Sequence, residues 1–155
     1  PGRLQVFSFN GRQVVVDGAH NPAAMKKMVH AVQDQFEFNR VILVFGGLSG
    51  HSTRGMLTEL EPLSPVMATV RSRHPRSVSS EAVAEACSTA GFRVEFASED
   101  VGDAIRRVLD IARSDDLVLV TGSLSIVAEA VEEMEGIAPE TYPYLECPPE
   151  EPLVI

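Results

Sequence analysis

Apolar residues along the chain alternate between short strand-like runs and longer stretches with helical spacing. Residues 4–9 and 13–17 are predicted to be two strands joined at Asn10-Gly11, a dipeptide that suits the positive φ angles of a tight hairpin turn. Residues 41–45 are apolar throughout, as expected for a strand that is buried on both faces. Further strands are predicted at 66–70, 94–97 and 117–120.

Helical patterns separate these strands. The first follows Asn21-Pro22, which supplies an N-cap residue and then a proline in the first turn. Its apolar residues recur at helical spacing up to Phe36. The other predicted helices lie near 53–60, at 80–90 with a stop at Gly91, after a Ser98 cap and after a Ser123 cap.

Repeated strand–helix alternation is typical of βαβ units. We therefore predict an α/β fold, a Rossmann-like three-layer α/β/α domain whose mostly parallel sheet carries an antiparallel N-terminal hairpin strand. The 155 residues correspond to a single domain, 1–155. Its proline-rich end, residues 136–155, is predicted to be an irregular tail.

Composition excludes several classes of partner. With 13 basic and 22 acidic residues the net charge is −9, so neither nucleic acid nor an anionic membrane surface is an expected partner.

Cys87 and Cys147 have no zinc-site spacing, and no apolar run reaches the roughly 18 residues of a membrane helix. We expect a cytoplasmic protein. Because the chain starts at Pro1 and lacks an initiator methionine, we expect it to be a fragment.

Four loops at predicted strand ends carry the polar and glycine-rich residues. They are residues 17–22 (DGAHNP), 46–51 (GGLSGH), 71–76 (RSRHPR) and 121–123 (TGS). Ligands of open parallel sheets bind at the carboxyl ends of strands, and helix-start loops such as 121–123 suit anions. Other readings stay open, since Asp17 could cap a turn and the arginines of 71–76 could be a solvated surface. Because no phosphate loop, GxGxxG, GxSxG or HExxH motif occurs, the residues alone predict a ligand site without a catalytic set.

Five segments, taken in order, resemble the C-terminal domain of bacterial folylpolyglutamate synthase/dihydrofolate synthase, within the Mur ligase superfamily. The segments are PGRLQ at 1–5, DGAHNP at 17–22, FGGL at 45–48, SRHPRS at 72–77 and VTGSL at 120–124. The resemblance covers roughly residues 1–135.

This resemblance implies one half of a two-domain, ATP-dependent amide ligase. In such enzymes a larger N-terminal ATPase domain, absent from this chain, carries the phosphate loop and the Mg²⁺ ligands. ATP phosphorylates a carboxylate of folate or dihydropteroate, and the amine of L-glutamate attacks the acyl phosphate. The C-terminal domain closes over the cleft and contacts nucleotide and glutamate. We expect the enzyme to be a monomer and this chain alone to be inactive.

The resemblance also assigns binding residues. It places Arg3 near the nucleotide, and Asp17 and His20 at its ribose and adenine. It places Ser123 near the glutamate substrate, whereas we interpret Asn21 as a helix cap. None of these residues is assigned catalytic proton transfer, and no metal ligand is assigned.

One position departs from the family pattern. His51 stands where relatives usually have a lysine that meets the substrate carboxylate, and a histidine near its ordinary pKa is largely neutral at pH 7. Arg54 is a substitute cation, and Arg73 and Arg76 are further anion-binding candidates.

Two other functions remain open. One is the C-terminal domain of another Mur-type ligase, acting on muramyl peptides or cyanophycin, although Gly18, residues 72–76 and the TGS loop favour the folate branch. The other is a stand-alone module that binds a nucleotide or another anion, against which the missing initiator methionine argues.

Overall fold

The fold is built on a six-stranded sheet, which a computed structural model describes together with its helices over residues 2–139 and 141. The strands are β1 (Gln5–Phe9), β2 (Arg12–Val16), β3 (Arg40–Phe45), β4 (Val66–Val70), β5 (Arg93–Ser98) and β6 (Asp116–Thr121). Their order across the sheet is β1-β2-β6-β3-β4-β5. β1 pairs antiparallel with β2, and the other neighbouring strands are parallel. The predicted α/β class, with an antiparallel N-terminal hairpin strand, is confirmed.

Helices cover both faces of this sheet. They are α1 (Pro22–Gln35), α2 (Thr53–Leu60), α3 (Ser80–Thr89), α4 (Val101–Ile111) and α5 (Leu124–Glu135), with a short 3₁₀ helix at Glu61–Leu63. Buried residues of α1, α2 and α3 pack on one face of the sheet, and buried residues of α4 and α5 pack on the other. Alternate residues of the central strands point into the two cores, as Val41 and Ile42 do in β3. This is a three-layer α/β/α arrangement.

Local signals at the predicted turns and caps are mostly confirmed. Asn10 and Gly11 have φ of 49° and 77° in the hairpin turn. Asn21 caps α1, its side-chain oxygen accepting the backbone N–H of Ala24 at 2.8 Å. Ser123 caps α5 in the same way, through the backbone N–H of Ile126.

The predicted cap of α4 is wrong. Asp100, not Ser98, is the N-cap residue, and its carboxylate accepts the backbone N–H of Asp103 at 2.7 Å. Ser98 ends β5 instead, and its hydroxyl donates to the Asp103 carboxylate at 2.9 Å. The strand runs one residue further than the apolar pattern indicated, so the cap moves two residues along the chain.

The end of the chain adds little to the described fold. Residues 136–139 and 141 form no helix or strand, and the remainder of the predicted irregular tail 136–155 lies outside the described residues. No helix within the described part of the chain is both long and apolar enough to cross a membrane.

Candidate functional site

The four loops singled out in the sequence meet at one edge of the sheet. They follow β2, β6, β3 and β4, which are neighbouring parallel strands, so their carboxyl ends share that edge. Backbone hydrogen bonds tie the loops together. Gly122 donates to Ala19 at 3.2 Å, and Ser49 donates to Arg76 at 2.8 Å. The tertiary structure thus joins four polar segments into a single surface.

A cavity of about 390 Å³ opens at this edge, and we call it the strand-end pocket. Its lining residues come from all four loops and the start of α5: His20, Leu48, His51, His74, Ser123, Leu124, Ser125 and Ala128. Among the described lining residues the polar groups are imidazoles and hydroxyls, with no carboxylate, lysine or arginine. The pocket therefore offers hydrogen-bonding groups and apolar walls without a permanent charge.

A second cavity of about 640 Å³ adjoins the first, and we call it the N-terminal groove. Its polar lining consists of Arg3, Asp17, His20, Asn21 and Lys27. His20 and Leu124 line both cavities, so these two side chains form the shared wall. Leu124 is 63% exposed although it is a large apolar residue.

The three pocket histidines differ in the roles of their ring nitrogens. His20 Nδ1 lies 2.9 Å from the Gly18 carbonyl; since a carbonyl only accepts, Nδ1 carries the proton and neutral His20 keeps Nε2 as an acceptor. His74 Nδ1 accepts the backbone N–H of Arg76 at 3.1 Å, so its proton lies on Nε2. His51 Nδ1 is buried and has no hydrogen-bond partner among the described residues. Its ring centre is 5.5 Å from that of His20.

Burial favours the neutral forms of two of these imidazoles. It lowers the pKa of His51, and electrostatic interactions with His20 and Arg76 lower it further. Burial also lowers the pKa of His74, again with a contribution from Arg76. Near pH 7, His51 and His74 therefore act in the pocket as neutral hydrogen-bonding groups.

Asp17 shapes the loop after β2. One carboxylate oxygen accepts the backbone N–H of Ala19 at 2.9 Å, and the other accepts that of Leu4 at 3.1 Å. The open reading of Asp17 as a turn-capping residue is thus confirmed. Its carboxylate also lines the N-terminal groove beside Arg3, where each oxygen retains a lone pair for a ligand.

The predicted anion-binding cations lie outside the lining of the strand-end pocket. Arg73 pairs with Glu132 at 2.5 Å and with the buried Glu129 at 3.8 Å. Arg76 donates to the Ser49 carbonyl at 2.6 Å, and Arg54 is exposed on α2. Of the five predicted glutamate- or anion-binding residues, the structure brings His51 and Ser123 to the pocket.

Several lining residues were missed by the sequence-based site prediction. They are Leu48, His74, Leu124, Ser125 and Ala128. The concentration of histidines in the loops was a usable signal for His74, but the apolar residues and Ser125 carried none. Among residues 2–139 and 141, no group of three or more His, Cys, Asp or Glu side chains is arranged to hold a metal ion.

Comparison with known proteins identifies relatives of this domain. The family model described as "Mur ligase, glutamate ligase domain" matches residues 2–124. A probable bifunctional folylpolyglutamate synthase/dihydropteroate synthase of Halobacterium salinarum is 33% identical over 130 residues, which are 84% of this chain and 16% of that protein. A UDP-N-acetylmuramoyl-L-alanyl-D-glutamate–2,6-diaminopimelate ligase of Coxiella burnetii is 32% identical over 136 residues, covering 79% of this chain and 26% of that protein.

A solved structure gives the same result. The E. coli FolC structure in complex with DHPP and ADP superposes with a TM-score of 0.78 at 26% identity, over 88% of this chain and 31% of that chain. The present chain spans less than a third of the length of each of these relatives. Because the family model matches residues 2–124 of this 155-residue chain, the chain belongs to the Mur ligase glutamate ligase domain family.

Proposed function

We propose that this chain is the C-terminal domain of an ATP-dependent ligase that adds L-glutamate to folate or dihydropteroate through an acyl phosphate. The family match, the folate-ligase name of the Halobacterium relative and the ADP complex of the E. coli structure support this proposal. The observation that carries it is the pair of adjoining cavities that share His20 and Leu124.

In this proposal the N-terminal groove takes the nucleotide. Arg3 and Lys27 line the groove and supply positive charge for phosphate oxygens. The Asp17 carboxylate accepts hydrogen bonds from ribose hydroxyls, and His20 offers its Nε2 acceptor to the adenine side. The larger of the two cavities thus receives the larger substrate.

The strand-end pocket takes glutamate. Ser123, at the start of α5, and His51 supply polar contacts to its carboxylates, while Leu48 and Leu124 contact its methylene groups. Arg54 and Arg76 lie outside this lining and contribute positive potential around it, whereas the charge of Arg73, also outside the lining, is offset by Glu129 and Glu132. An anionic amino acid is thereby held beside the nucleotide groove.

The chemistry itself requires the N-terminal ATPase domain that the proposal assigns to the same protein. Mg²⁺ held by that domain would neutralise phosphate charge during formation of the acyl phosphate. The C-terminal domain described here positions the substrates, and its closure over the cleft excludes water from the hydrolysable acyl phosphate. We propose no proton-transfer residue among the described residues, and a cytoplasmic monomer stays a prediction.

The nucleotide assignment is tested on the full-length ligase that carries this domain. Asp17→Ala should raise the KM for ATP about tenfold, the loss of a hydrogen bond to a charged group, with less than a twofold change in the KM for glutamate. Asp34→Ala, at an exposed position of α1, is the matched control. An unchanged KM for ATP contradicts the assigned role of Asp17, and absence of glutamate-dependent ADP release contradicts the proposed function.

The isolated chain gives a second test. Mixed with ATP, Mg²⁺, L-glutamate and a reduced folate, it should release no ADP, because the phosphate loop and the Mg²⁺ ligands are assigned to the other domain. Sustained ADP release that requires both L-glutamate and the folate, which a contaminating ATPase would not need, would contradict this division of labour.

A muropeptide ligase is the second candidate function, favoured by the 32% identity to the Coxiella enzyme. The two candidates differ in both the acceptor carboxylate and the incoming amine. Assays of the full-length protein with dihydropteroate plus glutamate, and with a muramyl peptide plus diaminopimelate, separate them. We expect turnover with the first pair.

A further inference from the structure

Four serine hydroxyls form a buried chain that leads from the loop after β4 into the strand-end pocket. Ser77 Oγ contacts Ser72 Oγ, Ser72 Oγ lies 3.0 Å from Ser125 Oγ, and Ser125 Oγ lies 2.9 Å from Ser123 Oγ. None of the four residues is more than 9% exposed. Ser123 and Ser125 line the pocket, whereas Ser72 and Ser77 lie behind it. The chain therefore connects the pocket surface to residues that a bound ligand does not touch.

The four serines have more hydroxyl protons than there are Oγ–Oγ contacts between them. Four hydroxyls carry four protons, and three Oγ–Oγ contacts use three of them. Backbone N–H groups fill further acceptor positions, since His74 donates to Ser72 at 3.4 Å and Ile126 donates to Ser123 at 3.2 Å. One hydroxyl proton is thus left over. A buried donor without an acceptor destabilises the protein.

The acceptor positions on Ser72 limit the direction in which the hydrogen bonds of the serine chain can point. Ser72 has two lone pairs, and the N–H of His74 occupies one. Ser72 therefore accepts from one of its two serine neighbours and donates to the other. If Ser77 donates to Ser72, then Ser72 donates to Ser125, and the surplus proton lies on Ser125 or Ser123, at the pocket.

We propose that this hydroxyl chain delivers one hydrogen-bond donor into the strand-end pocket for a carboxylate oxygen of the ligand, with Ser72 and Ser77 as positioning residues. The inference rests on the proposed function, because it takes the incoming glutamate as the source of the carboxylate. That anion gives the surplus proton an acceptor at Ser123 or Ser125 and aligns the chain from Ser77 towards the pocket. Consecutive hydrogen bonds of one direction strengthen each other.

The serine hydroxyl chain also explains how a carboxylate can bind in a pocket whose described lining lacks a permanent cation. A hydroxyl aimed at a carboxylate makes a charge-assisted hydrogen bond, which is roughly twice as strong as a neutral one. Ser72 fixes the direction of Ser125, so the strength of that bond depends on a residue outside the pocket.

Steady-state kinetics of the full-length ligase test the proposal. Ser72→Ala removes the link between Ser77 and Ser125 but leaves the hydroxyls of Ser123 and Ser125 in place. We therefore expect the KM for L-glutamate to rise roughly fivefold, which is less than the loss of a whole hydrogen bond to a charged group. The kcat and the KM for ATP should change less than twofold. Ser72→Thr keeps a hydroxyl and should restore most of the glutamate affinity. Ser77→Ala should give a smaller rise, because Ser72 can still donate to Ser125.

Controls separate positioning from general loosening of the fold. Ser88→Ala, at an exposed position of α3, should leave all three parameters unchanged. If Ser72→Ala fails to fold by thermal melting, the pair Ser77→Ala and Ser72→Thr still decides the question. Equal shifts in the KM values for ATP and glutamate, or an unchanged KM for glutamate in both Ser72→Ala and Ser77→Ala, overturn the positioning role while the proposed function stands. A wild-type enzyme that does not use glutamate overturns both.

Discussion

The backbone of Gly122 packs directly against the carbonyl oxygen of Gly46. Gly122 has a φ of +117°, and a methyl group on its Cα would overlap that oxygen. Gly46 is just as crowded, because a methyl group there would overlap the carbonyl of Val70 and the side chain of Ile126. The loops after β6 and β3 therefore meet without side chains between them, which brings the polar residues that follow to one pocket.

Substitution of Gly122 should destabilise the fold strongly. Gly122→Ala adds a left-handed backbone penalty and a steric overlap, together about 2–4 kcal/mol in the free energy of unfolding. Gly11→Ala is a matched control, because Gly11 also has a positive φ of +77° but has no atoms within 4 Å of the added methyl group. It should cost about 1 kcal/mol. Urea denaturation of the two variants measures the difference, and equal losses would argue against the close packing of the loops.

The partly buried imidazole of His51 should make stability depend on pH. Burial lowers its pKa below the ordinary 6.5, so the unfolded chain binds more protons as the pH falls below that value, and stability falls with it. His74 acts in the same direction. Compared with wild type, His51→Gln should lose less stability between about pH 7.5 and pH 5.5.

Chemical denaturation across that pH range measures the effect of His51→Gln. His30→Gln, at an exposed position on α1 outside both cavities, is the control and should follow the wild-type curve. Parallel curves for wild type and His51→Gln would show that His51 does not link protons to folding.

The ion pair between Arg40 and Asp116 joins the starts of β3 and β6. Arg40 donates to the carboxylate at 2.7 Å, and the Asp116 side chain is fully buried. Burial acts to raise the pKa of Asp116, but hydrogen bonds from Arg40 and from the backbone N–H of Arg113 outweigh it, so the pKa lies below the ordinary 3.8. The stabilisation is therefore present above that ordinary value and is lost as the pH falls through the lowered pKa.

Removal of the Arg40 cation should leave a buried carboxylate with one partner fewer. We expect Arg40→Met to cost about 2 kcal/mol at pH 7, and the cost should shrink in acid as Asp116 becomes protonated. Arg93→Met breaks a comparable pair with Glu95 in which Arg93 is 72% exposed, and it should cost less than about 0.5 kcal/mol. Urea titrations at pH 7 and pH 3 compare the two variants, and an equal cost in both would contradict a special role for burial.

Cys87 should be unreactive in the folded protein. Its side chain is buried in the core formed with α1 and α2, and burial raises the pKa of the thiol to about 12. Because the thiolate is the nucleophile, iodoacetamide should modify Cys87 slowly in buffer and rapidly in urea. Peptide mass spectrometry that follows the Cys87 peptide measures both rates, and similar rates would place the thiol at the surface.

Most of the fold could be predicted from local pattern. The predicted helix at 53–60 and strand at 66–70 have the bounds found in the structure, because burial on one or both faces imposes a periodicity that is visible in the residues themselves. The helix cap predicted at Asn21-Pro22 and the turn predicted at Asn10-Gly11 are confirmed for a similar reason, since cap and turn geometry depends on neighbouring residues. The predicted cap of α4 is wrong because Ser98 and Asp100 are both good cap residues. The length of β5, which ends at Ser98, determines that Asp100 is the cap.

The loops of the candidate site could be predicted from the sequence, but the side chains that line its cavity could not. Strand-end position alone picked out the four loops, because a parallel sheet places all such loops at one edge. Which side chains face the cavity depends on packing between loops that are distant in the chain. His74 reaches the pocket, while the neighbouring Arg73 turns to Glu132 on α5. Likewise Ser72 meets Ser125 only because the loop after β4 lies against the start of α5. These residues are 53 positions apart, and no local periodicity records such a contact.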